Sequence, residues 1–305
     1  MDRGSPAGAG DPPEWMTRQE RGSLATIRLT VGAALALGRP VMRMFLPAIC
    51  VYFLVFSGAS REASRSYLER ALGRRARWTD IFRHYLTFAT CVLDRIYFLK
   101  DRTDQYDFHI EGEEIVTDIL ARGQGCILVG AHMGSFEALR TVGRRQPALR
   151  VNMVMYEENA RKVNSVLNAI NPELAKDIIS LGSPNSFLEI QSCLNEGHFV
   201  GILADRSLSG ERQITRSFLG DPAHFSINPF RMVAVLRRPI IFMIALYRGG
   251  GRYDIHFERL VGPEEIPTRV DNGEVEAIAT RYIEKLERYC RLAPYNWFNF
   301  FNIWR

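Results

Sequence analysis

Hydrophobic positions divide the chain into two regimes. Up to about residue 105 they recur at helical spacing. Two apolar stretches, Leu24 to Leu37 and Met44 to Phe56, precede a polar, Arg-rich segment from Arg61 to Arg75, which reads as a helix stopped by Gly73. Trp78 to Leu99 reads as a second helix, with Thr79 or Asp80 near its start. Tyr106 to Glu111 reads as a short strand. From Cys126 onward, short apolar runs alternate with amphipathic stretches. Strands are predicted at 126–130, 149–155, 178–181, 199–204, 240–247 and 253–259. Helices are predicted at 136–145, 160–171, 185–196, 228–236 and 273–292. Arg248-Gly-Gly-Gly-Arg252 joins the last two strands and permits a tight hairpin. This alternation predicts an α/β fold: a mostly parallel sheet flanked by helices, an antiparallel hairpin at one side, and an N-terminal hydrophobic helical region.

The expected organisation is a disordered start over 1–20, rich in Gly, Pro and charge, a membrane-associated helical region over 21–105, and an α/β catalytic domain over 106–305. Residues 1–20 show no apolar h-region and are expected to carry no secretory signal. The run from Met44 to Phe56 is 13 residues long, short of the roughly 20 that cross a bilayer as a helix. It therefore reads as a helix lying in or dipping into one leaflet, with Arg39 and Arg43 before a Phe/Tyr/Leu-rich run, as at membrane interfaces. A hydrophobic hairpin packed on the main domain is the alternative.

The net charge of +5 and pI near 9.0 call for acidic partners. Arginines cluster at Arg74, Arg75 and Arg77, at Arg144 and Arg145, and at Arg237 and Arg238. Nucleic acid, an anionic lipid surface, a phosphorylated substrate or an acidic carrier protein all suit this charge; a solvated basic face is the bland reading. The five cysteines are scattered singly, mostly in apolar runs, and read as buried free thiols in a reducing compartment, with neither disulfide nor zinc spacing.

The stretch Gly125 to Arg140, GCILVGAHMGSFEALR, carries the chemistry. A buried strand ends at Gly130, His132 lies in a glycine-containing turn, and a helix begins near Phe136. Open α/β sheets place ligands at such strand ends, and helix N-termini there favour negative charge. His132 and Glu137 are five residues apart, about 140° of rotation on a regular helix, so they meet only if His132 precedes the helix. In that arrangement Glu137 holds one imidazole nitrogen and leaves the other to take a proton as a general base. The alternative is a structural turn in which His132 caps the helix. Ser135 reads as a turn residue. There is no G-x-S-x-G elbow, dinucleotide fingerprint or Walker A pattern. His84, His109, His198, His224 and His256 lack metal-ligand spacing and read as surface or packed residues.

Gly130-Ala-His-Met-Gly-Ser-Phe-Glu137 resembles the H-x-x-x-x-(D/E) motif of the lysophospholipid acyltransferase superfamily. More closely, residues 20–305 resemble the lipid A biosynthesis acyltransferases, the late lauroyl/myristoyl transferases. Gly201 to Gly210, containing Asp205 and Arg206, then Ser217-Phe-Leu-Gly220, the Pro239-led strand, and the aromatic end from Pro294 to Trp304 extend the likeness. The resemblance implies an acyl-ACP-dependent O-acyltransferase. His132 would deprotonate an acceptor hydroxyl, Glu137 would orient it, and the oxygen would attack a thioester without an acyl-enzyme. Asp205, Arg206 and Arg161 are the implied substrate-binding residues, the first two shaping the site or binding the acceptor phosphate and Arg161 contacting a phosphate or oxyanion. No metal or cofactor is implied, the co-substrate being acyl carrier protein or coenzyme A thioester. The implied partners are acyl carrier protein, a membrane lipid acceptor such as a lipid A precursor, and an anionic membrane surface, with no nucleic acid. The implied location is the cytoplasmic face of a bacterial inner membrane. Arg206 stands where many lipid A enzymes carry Gln. With the start Trp15-x-x-Arg-x-Glu-Arg-Gly-Ser23 and the ending FNFFNIW, it resembles a subgroup found with aryl polyene clusters. A lipid hydrolase using the same His-Glu pair, and a non-catalytic membrane or carrier-binding module, are the competing expectations.

Overall fold

The computed structural model describes residues 24–144, 149–156, 170–171, 177–181, 185–207, 211–266 and 271–304. The expected disorder over 1–20, most of the helix expected at 160–171, and Arg161 lie outside the described residues.

The two N-terminal apolar stretches lie in two consecutive helical segments, together α1 (Leu24–Phe56), that meet at Gly38, whose φ of +80° is not helical. Arg28–Phe56 is long and apolar enough to cross a membrane, and only 17% of its most apolar window is buried. Arg39, read from the sequence as a membrane-interface charge, is removed from water by protein. Its guanidinium grips both carboxylate oxygens of Asp94 at 2.6 and 2.8 Å and donates to the Gly250 carbonyl at 2.6 Å. The Tyr106 and Tyr253 hydroxyls donate to the same carboxylate. A buried bidentate pair whose lone pairs are all used is the form in which burial of two charges is tolerated.

Helix α2 (Gly58–Leu72) ends at Gly73, which takes φ +64° as a left-handed C-cap. Helix α3 (Trp78–Leu99) has the bounds its periodicity predicts, and Asp80 in its first turn accepts from the Arg77 amide. Beyond it come β1 (Asp107–Glu111), α4 (Glu113–Ala121), β2 (Cys126–Gly130), α5 (Phe136–Arg144), β3 (Val151–Tyr156), β4 (Ile178–Leu181), α6 (Ser186–Asn195) and β5 (Phe199–Leu203). The chain continues through β6 (Gln213–Phe218), β7 (Asp221–Ser226), α7 (Asn228–Leu236), β8 (Ile240–Gly249), β9 (Arg252–Val261) and α8 (Asn272–Leu292).

Seven strands form one sheet in the order β1-β9-β8-β2-β5-β3-β4. The block from β8 to β4 is parallel. β9 folds back antiparallel on β8, and β1 runs parallel to β9, so two strands at one side oppose the rest. Strand alternation feeds both faces. Ile127 and Val129 of β2, with Phe242 and Ile244 of β8, enter the core shared with α2, α7 and α8. Cys126 and Leu128, with Ile241 and Met243, enter the core shared with α1, α3, α4 and α5. The N-terminal helices thus share cores with the sheet. Helix α4 and the β6–β7 hairpin, a separate two-stranded sheet, were not expected from the sequence; α4 is only nine residues long, and Pro222 masks β7.

Candidate active site

Strands β2 and β5 are parallel neighbours, with Gly130 opposite Leu203. Each chain then runs two residues beyond the sheet to a polar side chain, His132 from β2 and Asp205 from β5. The shared register sets them side by side, and the Ala204 amide donates to the Gly130 carbonyl at 3.0 Å to hold the two exits together. His132 Nδ1 lies 2.8 Å from Asp205 Oδ1. Asp205 Oδ2 accepts from the His132 backbone amide at 3.0 Å and from Trp297 Nε1 at 2.9 Å.

The carboxylate that holds the imidazole is therefore Asp205, and the expectation that Glu137 does so is corrected. Glu137, in the first turn of α5, faces a different pair of groups. Its Oε1 takes Arg95 of α3 at 3.0–3.1 Å, and its Oε2 stands 3.8 Å from Arg140. Oε2 is buried without a hydrogen-bond partner. For Asp205, expected to shape the site or bind the acceptor phosphate, the side chain is fully buried and its oxygens are engaged by His132 and Trp297.

Electrostatics follow from burial and neighbours. Burial pulls the His132 imidazole below its ordinary value, and the charge of Arg206 acts in the same direction, against the opposing pull of Asp205. Burial pushes the Asp205 carboxyl up, but His132, Arg206 and the Trp297 donor outweigh it, and the carboxyl sits below its ordinary value. An ionised Asp205 only accepts, so Nδ1 carries the proton and Nε2 keeps its lone pair.

The C-terminal segment straps the histidine turn from outside. The Phe298 amide donates to the His132 carbonyl at 2.7 Å, and the Gly134 amide donates to the Asn296 carbonyl at 2.8 Å. Gly134 has φ +65°, and a Cβ there would meet the Ala245 carbonyl oxygen at 1.7 Å, so this close crossing over β8 admits only glycine. Ser135 is the turn residue expected; its Oγ accepts from the Ala138 amide at 3.3 Å and caps α5. Beneath the strap, His84 is packed, bonded to Ser64 through Nδ1 and to the Trp297 carbonyl through Nε2, and burial pushes it down to about 4.

A pocket of about 360 Å³ opens over His132, a size typical of small-molecule sites. Its polar lining includes His132, Glu137, Arg140, Arg95 and Arg206; Met153, Met155, Ile202, Leu203 and Phe298 contribute apolar wall. His132 keeps 29% of its side chain exposed. Arg206 reaches the Phe298 carbonyl at 3.4 Å and lies over the Phe301 ring, and its Nε has no hydrogen-bond partner. Cys91 also lines the pocket, but burial pushes its thiol well above the ordinary range, which disfavours a thiolate nucleophile. Trp297 and Asn296 are the site-building residues not singled out from the sequence, although the aromatic run from Pro294 to Trp304 marked their segment. Among the described residues no His, Cys, Asp and Glu cluster could hold a metal ion.

Residues 20–305 match the family model for bacterial lipid A biosynthesis acyltransferase. No curated protein sequence matches the chain significantly.

Proposed function

The chain belongs to the bacterial lipid A biosynthesis acyltransferase family, and from that premise we propose that it moves a fatty or polyene acyl group from an acyl-carrier-protein thioester to a hydroxyl of a lipid acceptor, with His132 as general base. The observation that carries this reading is the His132–Asp205 pair at the mouth of the pocket, with Nδ1 committed to the carboxylate and Nε2 free. The acceptor O–H gives its proton to Nε2 as its oxygen forms a bond to the thioester carbonyl carbon. The imidazolium is stabilised by Asp205. Collapse of the tetrahedral species breaks the C–S bond, and the departing thiolate takes the proton back from Nε2. Attack is direct, since Ser135 serves as a helix cap and the Cys91 thiol is held protonated.

Arg206, whose side chain lines the pocket, suits contact with the donor carbonyl or an acceptor phosphate. Arg161 is retained as a candidate anion contact from the resemblance alone. Glu137 lines the pocket with Oε1 on Arg95 and Oε2 3.8 Å from Arg140, and suits a role in holding these guanidiniums toward the substrate through charged hydrogen bonds. Loss of one such bond to a charged group is worth about 1.5–3 kcal/mol, so Glu137→Gln is expected to lower kcat/KM roughly 10- to 100-fold, read in steady-state kinetics over acceptor concentration.

The basic net charge supports an acidic carrier protein and an anionic membrane surface as partners, and α1 supports a membrane location, proposed as the cytoplasmic face of the inner membrane. No cofactor enters this chemistry.

The reading is tested by incubating the full chain with acyl carrier thioester and lipid acceptor in vesicles. Stoichiometric ester and free thiol are expected. Free fatty acid without ester would make it a hydrolase, and carrier binding without turnover would make it a binding module. The depressed pKa of His132 adds a pH signature. The active form is the neutral imidazole, so kcat/KM should fall as pH drops, with its acid limb below 6.5, and stay level through pH 7. A limb at or above 6.5 would contradict the environment described for His132.

A further inference from the structure

Helices α1 and α3 pack antiparallel, and two contacts fix their register. The Tyr97 hydroxyl donates to the Ala34 carbonyl at 2.7 Å, and Arg39 grips Asp94. Continuing that register past Arg39 brings Val41 level with Val92 and Phe45 level with Phe88. Packing agrees: Leu46 falls in the same core as Cys91 and Leu93, and Cys50 in that of Ile81 and Tyr85.

At this level both helices leave apolar side chains in the open. On α1, Val41, Met44, Phe45 and Ile49 are 39%, 77%, 56% and 46% exposed; on α3, Phe88 and Val92 are 40% and 49% exposed. Phe88 and Val92 are also pocket wall. With Cys91 and Arg95 they occupy positions i, i+3, i+4 and i+7 of α3, one helical stripe that runs from open surface to the Glu137 ion pair. Half-exposed wall residues mark the pocket's rim. Here the rim is continuous with the exposed face of the one helix, among the described residues, that is long and apolar enough to cross a membrane. From Pro40 to Phe56 that helix extends about 25 Å, against a hydrocarbon core about 30 Å thick.

Resting on the acyl-transfer reading, we propose that the α1–α3 face is immersed in the bilayer and that the pocket opens sideways into the hydrocarbon layer across Phe88 and Val92. The acceptor is then an amphiphile that keeps its chains in the bilayer while its polar head passes Arg95 and reaches His132. Hydrocarbon is the occupant this surface fits: contiguous exposed apolar area of this kind is unusual on a protein facing only water, and the six exposed side chains named on it carry no charge for a carrier protein's acidic surface to pair with.

The test places the photo-reactive residue p-benzoylphenylalanine at Met44, Phe88, Val92 or Arg75 of the full chain. Each variant is reconstituted in vesicles of phosphatidylethanolamine and phosphatidylglycerol, checked for folding by thermal melt, irradiated and mapped by mass spectrometry. Phospholipid adducts are expected at positions 88 and 92 as at 44, with none at 75. Two rim positions guard against one variant failing to fold. Adducts at 44 alone would show that the rim faces water and would overturn the proposal. Crosslinks from 88 and 92 to acyl carrier protein, with no lipid adduct when the carrier is left out, would overturn it in favour of a docking surface. Adduct formation needs no turnover. Failure of the vesicle acylation assay with adducts at 88 and 92 would therefore sink the acyl-transfer reading and leave the bilayer opening standing.

Discussion

Asp205→Asn should leave a folded protein that transfers acyl groups roughly 10²- to 10⁴-fold more slowly, the range by which a positioned base and its orienting carboxylate act. The asparagine carbonyl can still accept from the His132 amide and from Trp297 Nε1, the two bonds that Oδ2 now receives, so the exits from β2 and β5 stay tied. Its NH2 group then faces Nδ1. An amide donor at that nitrogen demands a lone pair there, which moves the ring proton to Nε2. The base is thereby converted into a donor at the one atom that must accept. The loss should fall on kcat, with KM for the acceptor little changed, because Asp205 does not reach the pocket. Circular dichroism and thermal unfolding report the fold, and steady-state kinetics report the split. Near-normal turnover in Asp205→Asn would dismiss Asp205 as the orienting group and return that role to another side chain.

The contrast with Glu137 shows how much of the site is legible in a linear sequence. The location is legible: a buried apolar run ending in glycine, then histidine, then a helix, places His132 at the carboxyl end of a central strand, where the structure puts it. The partner is harder to read, because Glu137 is near in sequence and Asp205 is 73 residues away. Strand register supplies the answer. β2 and β5 both read as buried strands, and the first polar residue after each is His132 or Asp205. Had the two strands been set as neighbours in the sheet, equal offsets from Gly130 and Leu203 would have paired them. Strand order is a property of crossovers, and a periodicity pattern carries none of it.

Helix bounds were readable where one face is strongly apolar, as in α3 and α7. They were not readable where tertiary contacts neutralise a local signal. Arg39 reads as a membrane-interface charge between two short stretches, yet it is buried against Asp94, a residue 55 positions away. The aromatic C-terminus posed a similar problem. Its composition advertises packing, but that Trp297 donates to the carboxylate behind the histidine depends on a strap from α8 back across β2 and β8.

His132→Ala is expected to reduce transfer by at least as much as Asp205→Asn, to a residual rate supplied by binding and by the charged pocket wall alone. The fold should survive. The imidazole is partly exposed at the pocket, while the turn is held by backbone bonds from Phe298 and to Asn296 that alanine keeps. The decisive measurement is the double variant. If Asp205 acts only by setting the tautomer and orientation of His132, nothing is left for it to set once the ring is gone. His132→Ala with Asp205→Asn should then be no slower than His132→Ala alone. Independent roles would instead multiply the two losses. A multiplicative result would mean that Asp205 contributes through a route other than the imidazole. A fully active His132→Ala, with purified donor and acceptor, would remove the base from the mechanism altogether.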